Sequence, residues 1–245
     1  MKKAITFLSA ALFAVTALSA GDLTITFQSK TAKTEGIETH YYSATHHRTN
    51  NEASKVDSLV DYQSLTTYTI DHNKKLIQKL TFEDAIAAME STQSEMPEGM
   101  SAMMGGVFGD PSNCKVEELG SDVVAGRKCK KYKITVGKIV FETSNDPSLL
   151  PPVPAASFAK MMKAKGALSA AMGPMGKSMA KLYEELSKIK GLALKTNMSG
   201  FMGMKVATEA TKVAEGPIPA SVFALPAGYK TEDLGKQLRD PKAKK

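Results

Sequence analysis

The methionines are the residues of this chain whose chemistry and spacing are most distinctive. There are fourteen of them, concentrated in the segments 96–104, 161–179 and 198–204. Thioether side chains are flexible and polarisable, so they suit a surface that must fit varied apolar ligands. We therefore predict that covering segments line a ligand cavity with these residues: Met96, Met100, Met103, Met104, Met161, Met162, Met175, Met179, Leu182 and Leu186.

Two other interpretations of the methionines stay open. Methionine fills gaps in protein cores, in which case the protein has a filled core, no ligand and a structural or interaction role in the cell envelope. Thioether sulfur also suits Cu(I), and helical spacing could bring together three sulfurs from Met96, Met100, Met103 and Met104. No histidine or cysteine lies beside this cluster in the sequence. A soft-metal (copper) protein is therefore an alternative to a hydrophobic-ligand binder.

The four histidines do not predict a metal site. On a single strand, His40 and His46 would share a face but lie roughly 20 Å apart, which is too far for one ion. His46 and His47 would point to opposite faces. Together with His72, these side chains are expected to be exposed polar residues.

The sequence carries no recognisable catalytic motif. It has no nucleophile elbow, no HExxH helix and no paired carboxylates framed by apolar residues. Basic residues are not interleaved with aromatic ones, although the net charge is +7, so nucleic acid is not expected as a partner. We predict a protein that is not an enzyme and has no cofactor.

The first twenty residues predict export. Lys2 and Lys3 precede an apolar run from Ala4 to Leu18, and a small-x-small pattern ends at Ala20. This is typical of a signal peptide (residues 1–20), cleaved after Ala20, and predicts a periplasmic protein. Gly21 follows the cut, so lipid attachment through a cysteine is not expected. No later stretch approaches eighteen apolar residues, so no transmembrane segment is expected.

Cys114 and Cys129 are the two cysteines of the chain. In an oxidising compartment, one intramolecular disulfide is the default expectation. Its loop of about fifteen residues would contribute roughly 3 kcal/mol in the chain-entropy model. The alternative is two free, buried thiols. The spacing is not that of a CxxC redox pair.

Hydrophobic periodicity predicts one α+β domain. Alternating residues predict successive strands, a helix beginning near Thr81 and Asp84, further strands, two helices and two closing strands. The residues after 230 are expected to be a basic flexible tail, 231–245. The predicted strands are 23–28, 36–49, 56–62, 66–70, 75–82, 114–119, 127–136, 139–143, 192–199 and 202–213, and the later helices are 155–171 and 175–190.

Three local strings resemble a known family. The segments Cys114–Gly120 and Val124–Tyr132 resemble its "G…v.G..C.kY" hairpin, and Pro217–Tyr229 resembles its C-terminal signature. The family is the domain-of-unknown-function 4412 family of exported bacterial proteins, which is similar in outline to the periplasmic lipid and lipoprotein carriers LolA and LppX.

The resemblance implies a LolA-like α+β domain over residues 21–230. It would be a curved antiparallel β-sheet, an open half-barrel with helices covering the concave face. In the similar carriers the cavity holds acyl chains. The expected partner is therefore a hydrophobic small molecule or lipid, with an envelope protein as a further possible partner.

Overall fold

A computed structural model describes residues 21–31, 34–94, 114–137, 139–171, 174–201 and 204–239. The predicted signal peptide and the predicted site residues Met96, Met100, Met103 and Met104 lie outside these ranges. The strands are β1 (Leu23–Thr31), β2 (Glu35–Tyr42), β3 (His46–Asn51), β4 (Val56–Asp61), β5 (Thr66–Asp71), β6 (Leu76–Thr81), β7 (Lys115–Val124), β8 (Arg127–Val136), β9 (Ile139–Asp146), β10 (Leu192–Phe201), β11 (Met204–Glu215) and β12 (Lys230–Asp233). The α-helices are α1 (Phe82–Ser94), α2 (Ala155–Ala171), α3 (Pro174–Ser187) and α4 (Leu234–Arg239), and a 3-10 turn covers Ala220–Phe223.

The described strands form one open sheet of twelve strands. Their order is β12-β6-β5-β4-β3-β2-β1-β11-β10-β9-β8-β7. β1 lies inside the sheet and pairs with both β2 and β11. Ladders between neighbours are antiparallel except that β12 pairs parallel with β6. The sheet is therefore mixed, whereas an antiparallel sheet was predicted.

The predicted flexible tail is wrong for residues 231–239. Thr231 pairs with Ile77, and Asp233 pairs with Lys79 in the β12–β6 ladder. α4 follows directly and packs on α1. The high lysine content suggested a solvated tail, but the backbone of β12 supplies partners to the otherwise unpaired edge of β6.

The predicted strand 36–49 is two strands joined by a tight turn. The amide of Ser43 donates to the carbonyl oxygen of His46 over 2.9 Å. The hydroxyl of Ser43 accepts a hydrogen bond from the amide of His46 over 3.0 Å, so a serine side chain closes a turn that has no glycine or proline. The turn places Tyr42 opposite His47.

The start of α1 confirms the predicted helix boundary. The hydroxyl of Thr81 accepts from the amide of Asp84 over 3.1 Å and donates to its carboxylate over 2.7 Å. This arrangement satisfies a free amide of the first turn and places negative charge near the helix N-terminus.

Helices α2 and α3 pack on one face of the sheet. Under α2, Met161 joins a core cluster with side chains of the central strands, including Ile25 and Leu194. Leu182 and Leu186 of α3 pack with Ile134 and its neighbours on β8 and β9. Burying such side chains is the main stabilising term of the fold. Within the described ranges, no helix is long and apolar enough to cross a membrane.

The C-terminal segment packs on the opposite face. Leu59, Ile70 and Ile77 form a separate core cluster there, and Phe223 and Tyr229 pack against it. Different segments therefore cover the two faces of β4–β6, in agreement with the alternation of side chains along a strand.

The predicted disulfide is wrong. Both cysteines are free thiols. Lys115 pairs with Thr135 and Asp122 pairs with Cys129, so Cys114 and Cys129 lie about seven residues apart along the hairpin, roughly 23 Å at the rise of a strand. A disulfide requires Cα atoms within about 7 Å. Burial raises the pKa of the Cys129 thiol to about 11.

Candidate functional site

A pocket of about 510 Å³ lies between α1 and α2, beside the ends of β5 and β6. Leu65, Phe82 and Ile86 are half-buried and form its apolar floor. Exposed Glu83 and Lys160 stand at its rim. The described residues that line it are Ser64, Leu65, Thr81, Phe82, Glu83, Ile86, Ala87, Lys160 and Ala164.

The predicted cover residues that the structure describes lie in or near the core. Met161 is 4% exposed, and Leu182 and Leu186 are 5% and 6% exposed. Met162 is half-buried. Met175 and Met179 belong to the residues of α3 whose side chains lie outside the described part of the chain. Met161, Met162, Leu182 and Leu186 are not among the described residues that line the pocket, so the role of the predicted cover residues in a cavity stays a prediction.

A group of buried and half-buried polar side chains lies on the sheet face that α2 covers. We call it the polar floor, and it consists of Glu38, His40, Tyr42, His47 and Tyr62. Leu23 pairs with Tyr42 and Tyr42 pairs with His47 in the neighbouring ladders, which puts the two strands' side chains on one face. Core residues of β1 share this face, so the polar floor adjoins the apolar core.

The imidazole of His40 is at the centre of the polar floor. Its Nδ1 atom lies 3.3 Å from Nε2 of His47 and 3.3 Å from the hydroxyl of Tyr42. Its Nε2 atom lies 3.5 Å from the carboxylate of Glu38. The Tyr42 and His47 rings stack with centroids 4.3 Å apart. A hydrogen bond from His40 lowers the pKa of Glu38. Partial burial opposes this effect, but the pKa stays below its usual range.

Lys165 of α2 lies one helical turn after the core residue Met161, on the side of the helix that faces the sheet. Burial lowers the pKa of His47 well below its ordinary value, and the charges of His40 and Lys165 lower it further. Burial also lowers the pKa of Lys165. The Lys165 ammonium lies 5.7 Å from the ring centroid of Tyr183 on α3. Among the described residues, no carboxylate forms an ion pair with Lys165.

Tyr62 carries an unsatisfied hydroxyl within the described structure. The residue is 2% exposed, and its hydroxyl has no hydrogen-bond partner among the described residues. Burial is the main cause that raises its pKa, with the nearby Tyr42 adding to it. An unpaired buried donor costs about 1–3 kcal/mol. The phenol is therefore available to donate to a polar atom that reaches this face.

The pairing of His40 with His47 is not predicted from the sequence. On the single predicted strand 36–49 these two residues cannot meet. The available signal was Ser43, three residues before His46, because serine at that spacing closes tight turns. No group of three or more histidine, cysteine, aspartate or glutamate side chains suited to a metal occurs in the described ranges. The polar floor instead offers hydrogen-bond donors and a nearby cation beside apolar surface.

A second polar cluster, on the opposite face, fastens the C-terminal segment. The Arg48 guanidinium donates to the carbonyl oxygens of Val222 and Ala224 over 2.9 and 3.0 Å, and to the carboxylate of Asp57 over 2.7 Å. His72 lies 2.9 Å from the same carboxylate. These groups satisfy one another, so the cluster is structural.

The fold and the site define an open-sheet α+β protein with helices on one face and a polar patch beneath them. Residues 21–229 match the family model described as Domain of unknown function (DUF4412). The chain belongs to this family. No curated protein matches the chain.

Several solved structures share low identity with the chain. A conserved uncharacterized protein from Thermus thermophilus is 7% identical, with a TM-score of 0.48, 87% of this chain covered and 91% of that one. MucB, in the MucA/MucB complex of Pseudomonas aeruginosa, is 13% identical, with a TM-score of 0.44 and coverages of 86% and 58%. PNGF-II is 12% identical, with a TM-score of 0.43 and 89% of this chain covered; the match spans 33% of the PNGF-II chain.

Proposed function

We propose that this protein is an exported periplasmic binding protein that holds a hydrophobic ligand, a lipid or an acyl chain, between its helices and its sheet. The pocket between α1 and α2 carries the proposal. Its volume of about 510 Å³ falls within the range of small-molecule sites, about 300–1,000 Å³. Its floor is apolar and its rim is polar, which suits a ligand with an apolar body.

The surroundings of the pocket support the same function. Ala87 of α1 and Ala164 of α2 are small residues on its walls, so the side chains leave room between the helices. The predicted signal peptide supports a periplasmic location. In this proposal the sheet curves as a half-barrel, the helices cover its concave face, and the protein binds its ligand without catalysis.

Mass spectrometry tests the proposal directly. The full chain is expressed with its leader, purified from the periplasm without detergent, and measured intact in its native state and after organic extraction. We expect a mature protein beginning at Gly21 and a stoichiometric co-purifying lipid. A ligand-free mass that persists after incubation with membrane vesicles would contradict the binding function.

A matched pair of variants tests the pocket. Ala164→Phe fills the pocket wall, whereas Ala159→Phe adds the same ring at an exposed position of the same helix that does not line the pocket. Affinity for a fluorescent fatty-acid probe should fall at least tenfold in the first variant and stay unchanged in the second. Equal affinities in both variants would place the ligand elsewhere.

A further inference from the structure

We infer that the ligand carries an anionic head group, a carboxylate or a phosphate, that Lys165 binds above the polar floor. This inference rests on the proposed function, because it assumes an apolar ligand on the helix-covered face. It adds the chemical class of the ligand and the residues that recognise its polar end.

The electrostatic surroundings of Lys165 favour an anion. Its side chain is half-buried on α2 and lies over the aromatic ring of Tyr183 on α3, and no described carboxylate pairs with it. Glu38 is the acid of the polar floor, but its carboxylate is held by His40 and by the side-chain amide of Asn51 over 3.0 Å. A partly desolvated cation without a counter-charge is unfavourable. A bound anion would supply the missing charge.

The hydrogen-bonding groups near Lys165 fit the oxygens of such a head group. The hydroxyl of Tyr62 is buried and unpartnered among the described residues, and a phenol hydroxyl can donate to a carboxylate or phosphate oxygen. Tyr62 and Tyr42 belong to the same core cluster as Met161 of α2. Tyr42 stacks on His47, and Lys165 follows Met161 by one helical turn on the side of α2 that faces this cluster. The Lys165 ammonium and the Tyr62 hydroxyl therefore lie in the same region of the protein.

The inward side of α2 changes from apolar to charged along the helix. Phe158, Met161 and Lys165 follow at spacings of three and four residues, which places them on one helix face. Phe158 and Met161 pack in the core cluster beneath α2. Ala164, adjacent to Lys165, lines the pocket. An amphiphile whose chain lies in the pocket beside Ala164 can thus place its head group at the adjacent Lys165.

Calorimetric titration of the full mature protein with a matched ligand series tests the inference. The probes are laurate, lauryl phosphate, lauryl alcohol and laurylamine, which share one chain and differ in the head group. We expect laurate and lauryl phosphate to bind about ten- to a hundredfold more tightly than the alcohol, as a charge-assisted hydrogen bond provides. Their relative affinity distinguishes a carboxylate from a phosphate ligand.

Variants of α2 assign the recognition to Lys165. Lys165→Gln should lower the affinity for the two anions about ten- to a hundredfold and leave that for lauryl alcohol unchanged. Lys163→Gln is the control, because Lys163 is exposed on the same helix. Tyr62→Phe should lower anion affinity several-fold. Circular dichroism shows whether Lys165→Gln folds. If it does not, the variant Lys165→Arg should retain the preference for anions, and the ligand series on the unchanged protein then tests the head-group inference.

Different failures have different meanings. If lauryl alcohol binds as tightly as laurate, or if Lys165→Gln folds and leaves anion binding unchanged, the head-group inference is overturned and the proposed function stands. If none of the four probes binds, the proposed function fails as well. If inorganic phosphate or acetate binds as tightly as the lauryl compounds, the site holds a free anion and the amphiphile is excluded.

Discussion

Replacing Arg48 should release the C-terminal segment from the sheet and destabilise the whole protein. The side chains of Arg48 and Asp57 are 10% and 7% exposed. In Arg48→Met, the Asp57 carboxylate loses a hydrogen-bonded counter-charge, and the carbonyl oxygens of Val222 and Ala224 lose their donor. Breaking a buried ion pair by removing one partner costs about 3–5 kcal/mol. At this chain length, that corresponds to a fall in Tm of roughly 6–20 °C.

Urea unfolding followed by circular dichroism measures this loss, and hydrogen exchange of residues 217–229 shows where it acts. Lys130→Met is a suitable control, because Lys130 and Glu118 form an ion pair whose side chains are 51% and 50% exposed. Such surface pairs contribute about 0–1 kcal/mol. A loss below about 1 kcal/mol in Arg48→Met, with unchanged exchange in the C-terminal segment, would refute the reasoning. The double variant Arg48→Met/Asp57→Leu should recover part of the stability, because no buried charge is left unpaired.

Three further predictions concern backbone, thiols and pH. Gly191 has a φ of +83°, and a Cβ there would overlap the carbonyl oxygen of Asp146. The variant Gly191→Ala should therefore lower the free energy of unfolding by more than about 1 kcal/mol. The control Gly166→Ala, at an uncrowded position in α2, should raise the free energy of unfolding by about 0.5–1 kcal/mol. Reducing agent should leave the Tm unchanged, and alkylation in denaturant should label both cysteines without prior reduction. Folding lowers the pKa of His47 from its ordinary value of 6.5. As the pH falls below about 7, the unfolded chain therefore binds a proton at this residue that the folded protein does not bind. The free energy of unfolding should consequently decrease as the pH is lowered from about 7 to 5. A His47→Phe variant that shows the same slope as the unchanged protein over that window would contradict the assignment.

Local patterns predicted most of the strands and helices. The alternation of Leu23, Ile25 and Phe27 identified β1 and its buried face, and the Thr81–Asp84 spacing identified the start of α1. These features depend on neighbours within one turn or one strand. Such features can therefore be predicted from the local sequence.

Features that depend on register or on distant segments were not predictable in the same way. The turn at Ser43 is closed by a side chain, so the strand 36–49 looked continuous and His40 and His47 could not be paired. The separation of the cysteines follows from the β7–β8 register, which spacing alone does not reveal. β12 pairs with a strand that lies far earlier in the chain. The unsatisfied Tyr62 hydroxyl is visible only when the atoms around it are known.

The position of β1 inside the sheet has a consequence for how the protein folds. Leu23 pairs with Glu215 on one side and with Tyr42 on the other, so one neighbour is synthesised early and the other near the end of the chain. The meander from β1 to β6 can assemble locally, but β1 then keeps an unpaired apolar edge until β11 arrives. Sequence-distant pairing of this kind slows folding and exposes strand edges to aggregation. A chain that ends before residue 204 would retain this edge permanently, and we expect such fragments to be recovered as aggregates.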